Sequence, residues 1–296
     1  MKSNIQMKTG LIVSIFLLAT LFPASAKKKD YPRAEIRVTY TYPHKRLKID
    51  AKAYDDKYQM VLLANNDYSK FFSPCTEYID SLKSTPSGER IYNKLMDEGV
   101  KKAIATGDHN AYPTSNGSLY VIKSSATSDV TVYDVAGMLE YGYYSAPFAE
   151  MEWEIGYSTK TILNYECVMA ETDYHGRHWT VWFTPDIPIQ DGPWKLCGLP
   201  GLILEASENS GQHQFIAEGI EICDQPIPPV YSRKKYDKMK RKDMLRGMRN
   251  YLTNGTPMVN ALISNTPSGE KIEIKQDYTD DDKDYEVDFL ETDYHE

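Results

Sequence analysis

Hydrophobic and polar residues alternate along much of this chain with a period of two, the pattern of half-buried β-strands. Ile36, Val38 and Tyr40 show it first, between charged and polar neighbours. The same pattern predicts further strands at 47–53, 57–64, 119–123, 129–133, 151–157, 161–172 and 177–184, and on both sides of a hairpin turn at 207–212. Because turns follow one another at short spacing without helices between most of these strands, we expect antiparallel pairing.

Other stretches depart from this alternation. Residues 77–106 have a helical period, with Ser87 as the predicted N-cap. Residues 233–254 predict a basic amphipathic helix, because nine of the first 17 are basic and two are acidic. Residues 137–147 are expected to form a flexible aromatic link. Residues 255–296 are expected to be a linker followed by an acidic, mobile tail.

These patterns predict a mainly β protein with some α. The expected architecture is a curved antiparallel sheet, half-barrel-like, with one packing helix and a C-terminal basic helix. The β-rich domain is expected to span 27–232, after a targeting segment at 1–26.

The first 26 residues have the features of a signal peptide. Lys2 and Lys8 precede an apolar run at 11–21, and Ala24-Ser25-Ala26 is a small-residue cleavage site. We therefore expect cleavage after Ala26 and a periplasmic or secreted protein. No later segment is long and apolar enough to predict a transmembrane anchor.

Charge narrows the expected partners. Without Lys2 and Lys8 the chain has 32 basic and 42 acidic residues, a net charge of −10. Such a surface disfavours nucleic acid and anionic lipid as general partners. The expected partner is an envelope protein or an apolar ligand, and no cofactor is predicted.

The four cysteines are even in number in a chain expected to be exported, which favours two disulfides over metal binding. If the hairpin centres near 209–210, Cys197 and Cys223 fall close to opposite one another. Cys75 and Cys167 would then pair by elimination.

The stretch from Asp191 to Glu205 crowds glycine and proline against an apolar run. Pro200 and Gly201 fit the central positions of a type II turn before a short buried strand at 202–204. Its turn residues are predicted to be architectural, and Lys195 is expected beside an exposed turn. The turn residues are Gly192, Pro193, Gly198, Pro200 and Gly201.

With Tyr165-Glu166-Cys167, Trp182-Phe183 and Ile187-Pro188-Ile189, this stretch resembles the GLPGLI family of secreted proteins from Gram-negative bacteria. The resemblance covers roughly 36–223. It implies export but no particular activity, because no reaction is established for the family.

Catalytic motifs are scarce: the chain has no Gly-x-Ser-x-Gly, no Walker loop and no His-Glu-x-x-His. His175 and His178 beside Asp173 have the side chains of a metal site. However, positions three apart on a strand point to opposite faces. A polar hairpin turn is therefore the favoured interpretation, and no metal is predicted.

Aromatic residues supply the candidate binding site. All four tryptophans fall within 42 residues, and such rings can line a cleft or fill a core. Trp179 shares a strand face with Val181 and Phe183, which predicts a core position. The predicted ligand-binding residues are Trp182, Trp194, Tyr143 and Tyr144.

Two functions are compatible with these observations. The favoured one is a non-enzymatic envelope protein that binds an apolar ligand or a protein partner in a cleft of the sheet. The alternative is a periplasmic hydrolase with an unrecognised Asp/His site. An apolar groove would favour the first, and converging carboxylates or a His–Asp pair would favour the second.

Overall fold

The computed structural model describes residues 31–45, 55–108, 111–115, 117–148, 151–231, 235–251 and 289–294. Apart from Tyr31, these ranges belong to the compact unit that begins at Pro32. The predicted signal peptide at 1–26 and the predicted strand at 47–53 lie outside the described residues. So do 255–288 of the predicted linker and tail.

The described chain is mainly β, as predicted, and its strands form one open, mixed sheet. In chain order the strands are β1 Arg33–Lys45, β2 Asp55–Ala64, β3 Tyr68–Phe72, β4 Tyr120–Ser124, β5 Asp129–Gly137, β6 Glu140–Pro147, β7 Glu154–Ile162, β8 Tyr165–Tyr174, β9 Arg177–Thr184, β10 Leu202–Glu208, β11 Gln214–Pro226 and β12 Tyr236–Lys238. Across the sheet the order is β12-β6-β5-β4-β3-β2-β1-β11-β10-β9-β8-β7.

Neighbouring strands pair antiparallel except β12, which pairs parallel to β6. Two local predictions were wrong. Residues 140–147 form β6 rather than a flexible link, because tyrosines on both of its faces find apolar partners. The strand predicted at 57–64 also begins earlier than expected, because Asp55 and Asp56 are the first residues of β2.

Three helices accompany the sheet in the described chain: α1 Pro74–Lys83, α2 Pro86–Thr106 and α3 at 241–251. The single helix predicted from 77 to 106 is broken because Pro86 starts a new helix after a two-residue gap. Thr85, and not Ser87, caps α2 by accepting from the Gly88 N–H. The predicted basic helix begins only at 241, because Tyr236 is buried in β12.

Central strands are buried on both faces. In β2, Leu62 belongs to one apolar cluster, whereas Val61 and Leu63 belong to the cluster on the other face. Trp179 has 0% exposure, and Val181 and Phe183 are also buried, which confirms the predicted core face of β9. The first cluster also includes residues from strands near both edges of the sheet, such as Tyr144 of β6 and Ala170 of β8.

The 185–201 loop connects β9 to β10 and inserts Leu196 and Leu199 into the first cluster. A β-carbon at Gly201 would overlap the carbonyl oxygen of Thr184, so the close approach of these two chain segments requires glycine. The predicted type II turn is replaced by a tighter one. The Gly201 N–H donates to Leu199 O at 2.7 Å, while the Leu202 N–H donates to Ile187 O at 3.1 Å.

The two predicted disulfides are absent: no disulfide bond joins any two of the four cysteines. Residues of β10 and β11 do pair close to the expected register, as in Ala206 opposite Phe215. However, β10 begins only at 202, so Cys197 lies in the loop while Cys223 belongs to a strand that also pairs with β1. Cys167 is buried in the first cluster, whereas Cys75 is exposed on α1.

Candidate functional site

A pocket of about 400 Å³ lies where the β2–β3 turn, the end of β4 and the 185–201 loop meet. Apolar side chains form one part of its lining and polar groups the rest. The apolar residues include Tyr68, Phe148, Met151 and Ile189. The polar ones include Asn65, Asn66, Asp67, Ser125 and Gln190, together with Lys123, Asp191 and Cys197. A concave site with this mixture suits a small molecule.

An ion pair between Lys123 and Asp191 forms the buried part of this lining. The Lys123 ammonium group is 3% exposed and donates to the Asp191 carboxylate. It also donates to Gly192 O at 2.9 Å and Leu196 O at 3.2 Å, so all three of its N–H groups have acceptors. The opposite charges compensate each other, so the pair adds no net charge to the pocket lining.

The polar rim is held by its own hydrogen bonds. Asn65 Oδ1 accepts from the backbone N–H groups of Asp67 and Tyr68, both at 2.8 Å. The Ser125 hydroxyl donates to Asp67 O at 3.1 Å and joins the end of β4 to this turn. The rim is therefore preformed by local turn chemistry.

Cys197 is the one thiol in the pocket lining. Burial raises the pKa of this thiol, so it is protonated at neutral pH and is a poor nucleophile. Its carbonyl oxygen accepts from Trp153 Nε1 at 3.0 Å, which fixes the adjoining backbone. No histidine is among the pocket's described lining residues. The arrangement supports binding better than nucleophilic or acid–base chemistry.

A second group of buried charges surrounds Glu291, in the C-terminal segment 289–294. Glu291 is 4% exposed and pairs with Lys195, which is 2% exposed, and with Arg241 from α3. The Tyr144 hydroxyl donates to Glu291 Oε1 at 2.8 Å. The expectation that Lys195 lies at an exposed turn was therefore wrong, because the loop packs inward and a distant carboxylate compensates its charge.

The pKa values in this cluster reflect competition between burial and charge. Burial lowers the pKa of Lys195 to about 8 although Glu291 acts to raise it. Burial acts to raise the pKa of Glu291, but Lys195 and His175 outweigh it and the pKa is lowered. Burial and the nearby Lys195 lower the pKa of His175, so its imidazole is mainly neutral at pH 7.

His175, Glu291 and Asp293 place possible metal-ligand atoms within 4.8 Å of one another. Arg241 already donates to Asp293, at 2.7 and 2.8 Å, and also to Glu291. A divalent cation would have to approach two carboxylates that Lys195 and Arg241 already neutralise. These three residues are therefore better suited to forming ion pairs within the chain than to binding a metal.

The four predicted ligand-binding aromatics do not line one cleft. Trp194 is 1% exposed and packs on Trp179 with ring centroids 5.5 Å apart. Tyr144 is also buried, and the Lys195 ammonium group lies close to both Trp194 and Tyr144, 5.2 Å and 5.0 Å from their ring centroids. Tyr143 stacks on Tyr133 in the cluster on the opposite face.

Trp182 lies elsewhere again, half-buried on β9 beneath the Lys160 ammonium group at 4.4 Å. The reason for this separation is the strand period: neighbours such as Tyr143 and Tyr144 face opposite sides of the sheet. Closeness in the sequence therefore did not bring the four rings together.

The two histidines also separate, as the hairpin interpretation requires. His175 and Gly176 form a two-residue turn with φ of +53° and +81°, typical of a type I′ hairpin. His175 Nδ1 lies 3.2 Å from Asp293, whereas His178 Nδ1 lies 2.8 Å from Asp173. A hydrogen bond that His178 donates to the Asp173 carboxylate raises the pKa of His178, which is exposed and lies outside the pocket lining.

The pocket and the buried charges were not predicted from the sequence. Asn65-Asn66-Asp67 resembled an ordinary turn, and Lys123 is 68 residues from Asp191. A signal for the C-terminal segment was present, because Phe289, Leu290 and Tyr294 interrupt a run of acidic and polar residues.

Within the described residues, no helix is both long enough and apolar enough to cross a membrane. A family model described as a protein of unknown function, Porph_ging, matches residues 175–205. This segment includes the β8–β9 turn, β9 and the 185–201 loop. No curated protein matches the chain.

Solved structures show distant likeness. PNGF-II in two crystal forms is 17% and 16% identical, with a TM-score of 0.46 in each case; the matches cover 72% and 74% of this chain. The chain spans only 33% and 34% of those proteins. MucB is 7% identical with a TM-score of 0.30, covering 68% of this chain and 56% of MucB. Likeness of this degree carries no functional information.

Proposed function

We propose that this protein is an exported, non-enzymatic envelope protein that binds an uncharged ligand in the pocket beside the Lys123–Asp191 pair. The observation that carries the proposal is a preformed pocket of about 400 Å³ whose buried charges compensate each other. Such a site can hold a small molecule but has few groups able to transfer protons or attack a bond.

The pocket lining favours one class of ligand. Phe148, Met151 and Ile189 offer apolar contact, while Asn66 and Gln190 offer amide hydrogen-bonding groups. Lys123 is the one basic residue among the described lining residues, and Asp191 compensates it. The other charged lining residue, Asp67, is exposed at the rim and disfavours an anionic ligand. The ligand is therefore a neutral molecule with an apolar body and a hydrogen-bonding end, a refinement of the apolar ligand expected from sequence.

The N-terminal segment and the motif at 198–203 support export and family membership, respectively. The charged start, apolar run and Ala24-Ser25-Ala26 support cleavage after Ala26 and a periplasmic or secreted location. The motif at 198–203, which lies inside the segment matched by the family model, supports membership of the GLPGLI family. N-terminal sequencing from native cells tests the cleavage: an N-terminus at Lys27 agrees, and an intact Met1 contradicts it.

The binding proposal is tested by mass spectrometry of molecules that co-purify with the mature protein from its native envelope. Met151→Trp fills part of the pocket, and Met96→Trp places the same ring on α2, outside the pocket lining. We expect one neutral species with the wild type and with Met96→Trp, and its loss with Met151→Trp. Equal retention by both variants would show that the ligand binds elsewhere.

A further inference from the structure

Residues 289–294 contact the rest of the protein as a bound peptide does. Arg177 donates from Nε to Phe289 O at 2.9 Å and from a second nitrogen to the same oxygen. The Thr292 N–H donates to His175 O at 2.9 Å, and the Thr292 hydroxyl donates to Gly176 O at 3.1 Å. The β8–β9 turn thus binds the backbone of the segment, independently of its acidic side chains.

Two carboxylates of the segment meet cations from different parts of the chain. Glu291 pairs with Lys195 of the 185–201 loop and with Arg241 of α3. Arg241 also donates to both oxygens of Asp293. Planar guanidinium groups bind carboxylates with defined geometry. Because Arg241 contacts both acids, it favours a segment in which the two carboxylates have this spacing.

Aromatic residues anchor both ends of the segment. Phe289 and Tyr294 are buried and form a cluster with Leu245 of α3. The Tyr294 hydroxyl accepts from Arg249 at 2.9 Å. Aromatic anchors beside paired charges are the usual high-energy contacts of a recognition site.

The segment is bound by parts of the chain that are distant from it in the sequence. Residues 252–288 separate the described part of α3 from the segment, although α3 contacts the segment directly. The contacts that hold the segment come from residues far from it in the sequence, such as Arg177 and Arg241.

We propose that the groove formed by the β8–β9 turn, Lys195 and α3 is a peptide-recognition site. It accepts short segments of the pattern aromatic–x–acidic–x–acidic–aromatic, and in this chain residues 289–294 occupy it in cis. A partner protein that presents a segment of this chemistry replaces the cis segment. This site is distinct from the pocket, and its existence does not depend on the pocket's ligand.

The test uses the folded full-length protein with a protease recognition site placed within 255–285, before and after cleavage. A fluorescent peptide of residues 287–296 is the probe, and anisotropy measures its binding. After cleavage and dialysis we expect the peptide to bind at least tenfold more tightly than before, because the tether gives the cis segment a high effective concentration. A peptide with Glu291→Gln and Asp293→Asn should bind the cleaved protein at least tenfold more weakly.

Protein variants give a second measurement. Arg241→Gln should weaken peptide binding to the cleaved protein at least tenfold, whereas Arg246→Gln, which removes an arginine that pairs with Asp243 on the same helix, should not. Circular dichroism checks that both variants remain folded. A cleaved segment that never exchanges with excess peptide would make residues 289–294 an integral part of the fold. Equal binding of the neutralised and native peptides would likewise overturn the proposal.

Discussion

Low pH should reduce the free energy of unfolding through protonation of Glu208, whose carboxylate organises the turn between β10 and β11. Oε1 accepts from the Ser210 hydroxyl at 2.7 Å and from the N–H groups of Gln212 and His213 at 2.8 and 3.0 Å. Oε2 accepts from the Ser210 N–H and from Arg177, both at 2.8 Å. Five donors thus converge on one buried carboxylate.

These bonds favour the ionised form. Burial acts to raise the pKa of Glu208, but the hydrogen bonds from His213, Ser210 and Gln212 outweigh it and lower the pKa from 4.5 to about 2. Because the folded pKa lies below the unfolded one, the unfolded chain binds more protons between these values. The stabilisation is therefore complete above about pH 5 and is lost as pH falls toward 2. Its size is about 3 kcal/mol.

Urea unfolding of the wild type and Glu208→Gln at several pH values measures this contribution. The glutamine resembles the protonated acid, so the variant should be less stable by about 3 kcal/mol at pH 7. The difference should shrink below about 1 kcal/mol near pH 2, as the wild-type carboxylate takes up its proton. Glu154→Gln, on the exposed part of β7, serves as the control and should change little at either pH. A difference that stays constant from pH 7 to pH 2 would refute this reasoning.

Three further predictions concern the core and the 185–201 loop, and unfolding in urea measures each. Gly201→Ala should destabilise by about 3 kcal/mol because its β-carbon would overlap backbone, whereas Gly219→Ala, with open space around it, should change stability little. Equal effects of the two would contradict the close-approach argument. Asp191→Asn should lower stability by about 3 kcal/mol by leaving Lys123 buried without its counter-charge; a loss near zero would mean that the carbonyl oxygens suffice. Trp179→Ala should lower it by about 4 kcal/mol, and a loss below about 1 kcal/mol would show that the ring is not core.

The sequence by itself determined the strand content and much of the local turn chemistry. Alternation predicts which face of a strand is apolar, so the buried face of Trp179, Val181 and Phe183 could be read directly. The His175-Gly176 turn was predictable for a similar reason, since a hairpin needs two polar residues that tolerate positive φ. These features depend on residues only a few positions apart.

Tertiary structure decided the order of the strands, the pocket and the state of the cysteines. The β1–β11 pair joins the two ends of the β-rich domain. Hydrophobic alternation identifies the apolar face of each strand but does not predict which strand pairs with which. The predicted Cys197–Cys223 pair was wrong because it assumed an uninterrupted hairpin, whereas the 185–201 loop packs into the core.

Only the tertiary structure could also reveal the buried charges. In the sequence, nothing distinguishes Lys123, Lys195 and Glu291 from charged residues on a solvated surface. A charged side chain becomes tolerable inside a protein when a distant counter-charge and hydrogen bonds replace its water. Those partners, Asp191 for Lys123 and Glu291 for Lys195, arrive from other parts of the chain, so no local pattern records them.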